Sequence, residues 1–259
     1  MMGKHSTFNI QHPMSQCSGG ALPLDVECSM LNVGCWLVLN SGPCDAAFNM
    51  ALDEALLEAM PRLQAPVLRF YGWTEPAATF GYFQKYAEVA ATTKLRPLIR
   101  RPTGGGIVPH DADWTYAAVF PAGHEWHSLK AEESYRRIHD WLRLAFAELK
   151  VETELAPCCK KTLPGQCFIG HEKFDLLWHG KKIAGAAQRR NKLGLLIQGS
   201  IQPPPVPANR GVFEGAMLRV AEQAFGALWM QFEHELIPHK HAEDLARQKY
   251  SQNDYNLRR

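Results

Sequence analysis

The order of elements in this 259-residue chain predicts an α+β fold in which helices flank a mixed, largely antiparallel sheet. Two long segments repeat apolar residues at helical spacing. Short runs rich in β-branched and aromatic residues follow one another without a helix between each pair, unlike the alternation of a doubly wound parallel sheet. The last three of these runs are separated only by turn-forming residues, His179-Gly180 and Asn191 to Gly194, and read as an antiparallel meander.

Residues 1 to about 32 are polar, rich in Ser, Gly and His, and without periodicity; they read as a flexible leader, with 33–259 as a single domain. The run "WLVLN" then reads as a strand. From Asp45, "DAAFNMALDEALLEAM" places Phe48, Ala51, Leu52, Ala55, Leu56 and Ala59 on one helical face, with Asp45 as the N-cap. "VLRFYGW", "ATFGYFQ", "PLIRR" and "TYAAVF" follow as strands. The segment "SLKAEESYRRIHDWLRLAFAELK" sets Tyr135, Ile138, Leu142, Ala145, Phe146 and Leu149 on one stripe of a second helix. "FDLLW", "KIAGAAQRR" and "LLIQGSI" make the meander, and the run Pro203 to Pro207, short of amide donors, is a connection. A third helix is expected from about Val212 to Leu236 and a short fourth from His241 to Tyr250.

The composition, 46% hydrophobic and 21% charged, is that of a globular chain. A formal net charge of +2 supplies no field for a polyanion, so nucleic acid is not an expected partner, although Lys160-Lys161 and Arg189-Arg190 remain local docking spots. No run approaches the roughly 18–20 apolar residues of a membrane span, and the N-terminus lacks the apolar core of a signal peptide. A cytoplasmic location without membrane contact is expected. Seven cysteines without repeating spacing do not suggest a disulfide framework in a reducing compartment, which leaves chemistry, packing or metal as reasons for a thiol.

The stretch "RRPTGGGIVPHD" sets Arg100 and Arg101 before Gly104, Gly105 and Gly106, with His110 and Asp111 after them. Three glycines suggest backbone that takes positive φ or admits another group more closely than a Cβ allows. With these neighbours it suits a carboxylate, a thioester carbonyl or a phosphate; a glycine-rich hairpin with solvated arginines explains the same string. It is neither a Walker loop, since no Lys-Ser/Thr follows, nor the dinucleotide fingerprint, whose glycine spacing differs.

In "GKKIAGAAQRR", Lys182 precedes a nearly side-chain-free strand surface that includes Gly185 and Ala187. Such a surface leaves room for an acyl chain with Lys182 at its polar end; the plainer reading is a solvated lysine beside a tightly packed strand. Cys167, in "PGQCFIG", is either a buried inert thiol or a nucleophile whose thiolate a nearby ammonium would favour. A zinc set of Cys158, Cys159, Cys167 and His171 is disfavoured, because adjacent cysteines rarely share one ion and no C-x-x-C pair exists.

Together with "VLRFYGWTEPAATFGYFQ" and the ending "AEDLARQKYSQNDYNLRR", these stretches resemble the biotin/lipoate protein ligase superfamily and, within it, the LipM-type octanoyltransferases, over about residues 35 to 259. In LipM-like enzymes a cysteine followed by phenylalanine, fifteen residues before the strand lysine, carries the acyl group, and Cys167 and Lys182 match that spacing. The resemblance implies a class II synthetase-like catalytic fold, catalysis by Cys167 and Lys182, and a substrate wall of Arg69, Tyr71, Arg100, Arg101, Gly104, Gly105, Gly106, His110, Gly185 and Ala187, without metal. Cys159 is a less favoured nucleophile.

The implied reaction moves octanoyl from octanoyl-acyl carrier protein to the lysine of a lipoyl domain or glycine-cleavage H protein, with no cofactor. An acidic carrier would meet Lys160, Lys161, Arg189, Arg190 and Lys192. ATP and magnesium enter only if the chain is a lipoate-protein ligase; an amidotransferase and a non-catalytic acyl-binding module are the remaining alternatives.

Overall fold

The computed structural model describes residues 34–161, 170–203 and 209–258. Its first half runs β1 (Cys35–Cys44), α1 (Ala46–Leu63), β2 (Val67–Trp73), β3 (Ala77–Phe80), α2 (Tyr86–Thr92), β4 (Leu98–Arg100), β5 (Val108–His110), β6 (Trp114–Pro121), α3 (Glu125–Ser128) and α4 (Ala131–Glu148). Then come β7 (Glu154–Leu155), β8 (Lys160–Lys161), β9 (Gly170–His171), β10 (Leu176–Trp178), β11 (Lys181–Asn191) and β12 (Gly194–Ile201). The chain ends with α5 (Arg210–Phe225), β13 (Leu228–Gln231), a 3₁₀ turn at His234–Leu236, α6 (His239–Leu245), which runs into a π-helical turn at Ala246–Tyr250, and α7 (Asn253–Asn256). Asp45 caps α1 as the sequence predicts, its side chain accepting from the Phe48 amide at 2.8 Å.

Eight strands form one sheet in the order β13-β1-β2-β6-β12-β11-β10-β7. β13, β1 and β2 pair in parallel, and every later pairing is antiparallel, so the sheet is mixed and largely antiparallel. The meander is β10, β11 and β12, and its second turn closes on the pair Asn191 and Gly194. A smaller sheet, β4-β3-β5, and a ribbon, β8-β9, complete the strands of the described residues.

Alternation along β2 shows how the sheet is filled. Leu68 and Phe70 point into a cluster with Trp141, Phe146 and Phe213 of α4 and α5, while Val67 and Tyr71 point into a cluster with Leu52, Leu56 and Met60 of α1. Both faces are therefore covered, which explains why the strand runs read as continuously apolar. Burying each large apolar side chain here contributes about 1.5–3 kcal/mol. Arg69 shares the α1 face with Val67 and Tyr71, so an arginine is buried there with no exposed surface.

Two expectations fail for identifiable reasons. The third helix stops at Phe225, because Gly226 takes the left-handed conformation at φ 66° and turns the chain into β13, which pairs with β1 instead of extending the helix to Leu236. The run "ATFGYFQ" leaves its sheet at Phe80, because Gly81 passes so near the glycine stretch that an added Cβ would stand 1.9 Å from the Gly105 carbonyl oxygen. The leader at 1–32 and the proline residues 204–207 lie outside the described residues.

Candidate active site

A cavity opens where α1, β5, β11 and β12 converge. Of the residues the sequence nominates, Tyr71, Arg101, His110, Lys182, Gly185 and Ala187 line it. Ala186 of the same small-residue strand lines it too, and so do Met50, Thr79, Thr115, Gln198 and Ser200, which no sequence signal marked. Lone Thr, Gln and Ser residues inside apolar strand runs carry no motif; the one available cue was the polar residues in "LLIQGSI", a run otherwise suited to a buried strand.

Two buried carboxylates organise the polar lining. Asp53 on α1 accepts from Arg69 Nη1 at 2.6 Å, Tyr71 Oη at 2.9 Å and Gln198 Nε2 at 2.7 Å. Burial first, and the Asp53 charge next, hold the Tyr71 hydroxyl well above the usual phenol range, so it stays a hydrogen-bond donor. Asp113 accepts from His110 Nδ1 at 2.8 Å, Thr115 Oγ1 at 3.0 Å and Ser200 Oγ at 2.6 Å. On the other side of the ring, His110 Nε2 is hydrogen-bonded with Thr79 Oγ1 at 2.9 Å. Trp73 stacks on the same imidazole with ring centroids 3.8 Å apart.

Lys182 stands at the start of β11 with its ammonium 2.7 Å from Asp175 Oδ2, in an ion pair almost withdrawn from solvent. A Cβ at Gly185 would meet Lys182 Cε and Nζ at 2.7 Å. The small residue thus makes room for the lysine head while its backbone lines the cavity. Ala186 and Ala187, further along β11, remain as the apolar lining.

Other nominated residues sit elsewhere. Arg69 is spent inside the fold: besides Asp53 it donates to Ser41 Oγ at 2.9 Å, the Asn49 carbonyl at 3.0 Å and Asn49 Oδ1 at 2.7 Å. Arg100 pins the end of the chain, donating to the carbonyls of Tyr255 at 3.1 Å and Asn256 at 2.9 Å, and to those of Tyr82 and Gln84, each at 2.7 Å. Neither arginine lines the cavity. Gly104, Gly105 and Gly106 are absent from its lining too; Gly105, at φ 84°, packs backbone to backbone against Gly81, and the Gly104 carbonyl accepts from Arg101 Nε at 3.0 Å.

The basic docking set is also thinner than the sequence suggests. Arg189 pairs with the buried Glu54 at 2.8 Å, and Arg190 turns to the carbonyls of Trp126 and His127 and to Ser134 Oγ. The side chains of Lys160 and Lys192 are exposed, and that of Lys161 is outside the described residues.

Cys167 lies outside the described residues. Its neighbours in sequence are placed: Lys161 pairs with Gly170 in the β8-β9 ribbon, β9 lies against β11, and the Glu172 amide donates to Asp175 Oδ2 at 2.6 Å. Cys158 and Cys159 are exposed. The arrangement presents a cation, polar side chains held in place by Asp53 and Asp113, and a short apolar wall, which suits an acyl group with a polar head.

Among the described residues no helix is long and apolar enough to cross a membrane. The lipoyl protein ligase A/B catalytic domain model matches residues 45–202. An octanoyltransferase LipM of Anoxybacillus flavithermus is 37% identical over 180 residues, 64% of each chain. This chain therefore spans 64% of that relative's length in the alignment. An octanoyltransferase LipM of Bacillus cereus is 30% identical over 274 residues, covering 86% of this chain and 98% of its own. Among solved structures, a lipoate-protein ligase A bound with ATP superposes with a TM-score of 0.71 at 20% identity, over 86% of this chain and 98% of that one, a likeness of fold. A bi-partite lipoate protein ligase from Thermoplasma acidophilum gives 0.65 at 18%, over 86% and 96%. With its catalytic-domain model matched over more than half the chain, and a LipM relative matched over nearly its whole length, this chain belongs to the lipoyl protein ligase A/B catalytic domain family.

Proposed function

We propose that this protein is an octanoyltransferase: it takes octanoyl from octanoyl-acyl carrier protein onto Cys167 and passes it to the lysine of a lipoyl domain or glycine-cleavage H protein. The observation that carries the reading is the buried Lys182 ammonium at the cavity wall, on the strand against which β9 lies. Cys167 is three residues before Gly170 and fifteen before Lys182 in the sequence, the spacing of the LipM-like cysteine and strand lysine. Being related to octanoyltransferases named LipM supports the choice of acyl group.

The thiolate of Cys167 attacks the carbonyl carbon of the donor thioester; the new C–S bond forms as the carrier's thiolate leaves and takes up a proton. The Lys182 ammonium favours the thiolate over the thiol and faces the oxygen that gains charge. The polar side chains held by Asp53 and Asp113 fix the shape of the wall, and the alanines of β11 shelter the chain. In the second half the acceptor's lysine amine attacks the acyl-enzyme carbonyl, loses a proton, and expels Cys167 as thiolate. A thioester becomes an amide, which is downhill, so neither ATP nor magnesium is required.

Presenting a lipoyl domain with octanoyl-acyl carrier protein, or with free octanoate plus ATP and magnesium, tests this. Octanoylation from the carrier alone is expected. Modification only from octanoate with ATP would replace the transferase by a ligase.

A further inference from the structure

Lys182 does not hold itself in place, and the group that holds it also touches the chain leading from Cys167. Asp175 has no exposed side-chain surface and receives three donors: Tyr135 Oη of α4 on Oδ1, and both Lys182 Nζ at 2.7 Å and the Glu172 amide at 2.6 Å on Oδ2. Its own backbone is tied down as well, since its carbonyl accepts from the Ala156 amide at 2.8 Å and its amide donates to the Glu172 carbonyl at 3.2 Å. Tyr135 in turn packs against the His139 ring, 4.4 Å between centroids. An exposed lysine samples many rotamers; this one is seated by a carboxylate that is itself fixed from a helix, a strand and a turn.

We infer that Asp175 is a positioning residue for acyl transfer: it holds the Lys182 head at the cavity wall, and through the Glu172 amide it sets the chain that follows the cysteine in register with that head. The inference rests on the transferase reading and deepens it. Nothing here requires Asp175 to touch substrate. Its effect passes through Lys182, and that dependence separates it from a residue that merely supports the fold. Misplacing a group that must meet a reacting atom by about 1 Å costs on the order of 100-fold. Tyr135, which supplies one of three donors, should matter less than the carboxylate.

The test is a double-variant cycle on acyl-enzyme formation, followed by intact mass in rapid-quench experiments with octanoyl-acyl carrier protein. Asp175→Asn is expected to slow loading about 100-fold with little change in the carrier concentration giving half-maximal rate, and Tyr135→Phe to slow it less than about 10-fold. Lys182→Met alone should be slow, and adding Asp175→Asn to it should lower the rate no further. If the two losses multiply in the double variant, or if Asp175→Asn loads at the wild-type rate, the positioning role is wrong. A thermal melt on each variant identifies unfolding, and Asp175→Glu then serves as the second variant: it keeps the charge and should recover more of the rate than Asn. Failure to recover counts against the proposal. A wild-type protein that never loads overturns the transferase reading itself, an outcome distinct from all of these.

Discussion

Replacing Arg69 by methionine should unfold the protein more readily while leaving the chemistry of any folded fraction largely intact. The guanidinium has no solvent exposure, donates four hydrogen bonds and lies 4.0 Å over the Tyr71 ring. Methionine approximates its volume but leaves the Asp53 carboxylate buried with only Tyr71 and Gln198 as donors. Breaking a buried pair by removing one partner costs about 3–5 kcal/mol. For a chain of about this size each kcal/mol moves the melting temperature roughly 2–4 °C, so Arg69→Met should melt about 6–20 °C lower. Differential scanning calorimetry with urea titration measures both quantities. Adding Asp53→Leu to Arg69→Met removes the stranded charge and should recover part of the loss, since an apolar replacement of a whole buried pair is often neutral. A fully stable Arg69→Met protein that cannot transfer acyl groups would refute this and return Arg69 to the substrate wall.

Three further outcomes are expected. Ala187→Leu extends a side chain into the cavity and should slow octanoyl loading at least about 10-fold while a butyryl donor loads within about 3-fold of wild type; equal losses for both chains would mean the acyl group lies elsewhere. His139 is fully buried, and burial lowers its pKa from 6.5 to about 4, so the unfolded chain binds its proton first as pH falls. Stability contributed by the neutral ring is complete above pH 6.5 and is lost towards pH 4, by as much as ~3 kcal/mol; His139→Phe should flatten that part of the pH–stability curve, and an unchanged slope would contradict the assignment. Gly81→Ala would drive a Cβ to 1.9 Å from the Gly105 carbonyl oxygen and should cost about 3 kcal/mol, read by urea denaturation; a variant as stable as wild type would show that the two glycine segments do not touch.

Much of this fold is legible in the amino-acid order because periodicity reports burial directly. The α1 and α4 stripes, the β2 run and the final meander each show their apolar spacing, and Asp45 caps α1 while Asn191 and Gly194 close the last turn of the meander. The 3₁₀ turn and the short strands β5, β7, β8 and β9 carry too few residues for a period to show, and their places depend on partners remote in sequence. At the site, Lys182 and Gly185 were legible as a charged head beside bare strand, yet the identity of what fills the bare strand was not. Arg69 and Arg100 look like ligands in a linear string because an arginine's default is the surface. Only the fold shows that Asp53, on α1, and the carbonyls of the last helix consume their donors. Asp175, seven residues before Lys182, is one carboxylate in a strand-like run, and nothing local announces that Tyr135 and the Glu172 amide converge on it.

The central claim is a thioester on one cysteine, and intact mass spectrometry reads it directly. Wild-type protein mixed with octanoyl-acyl carrier protein, without ATP or magnesium, should gain a single octanoyl group that hydroxylamine removes and a lipoyl domain discharges, and Cys167→Ala should gain none. An adduct that persists in Cys167→Ala, or one that forms only when ATP is added, would contradict the account.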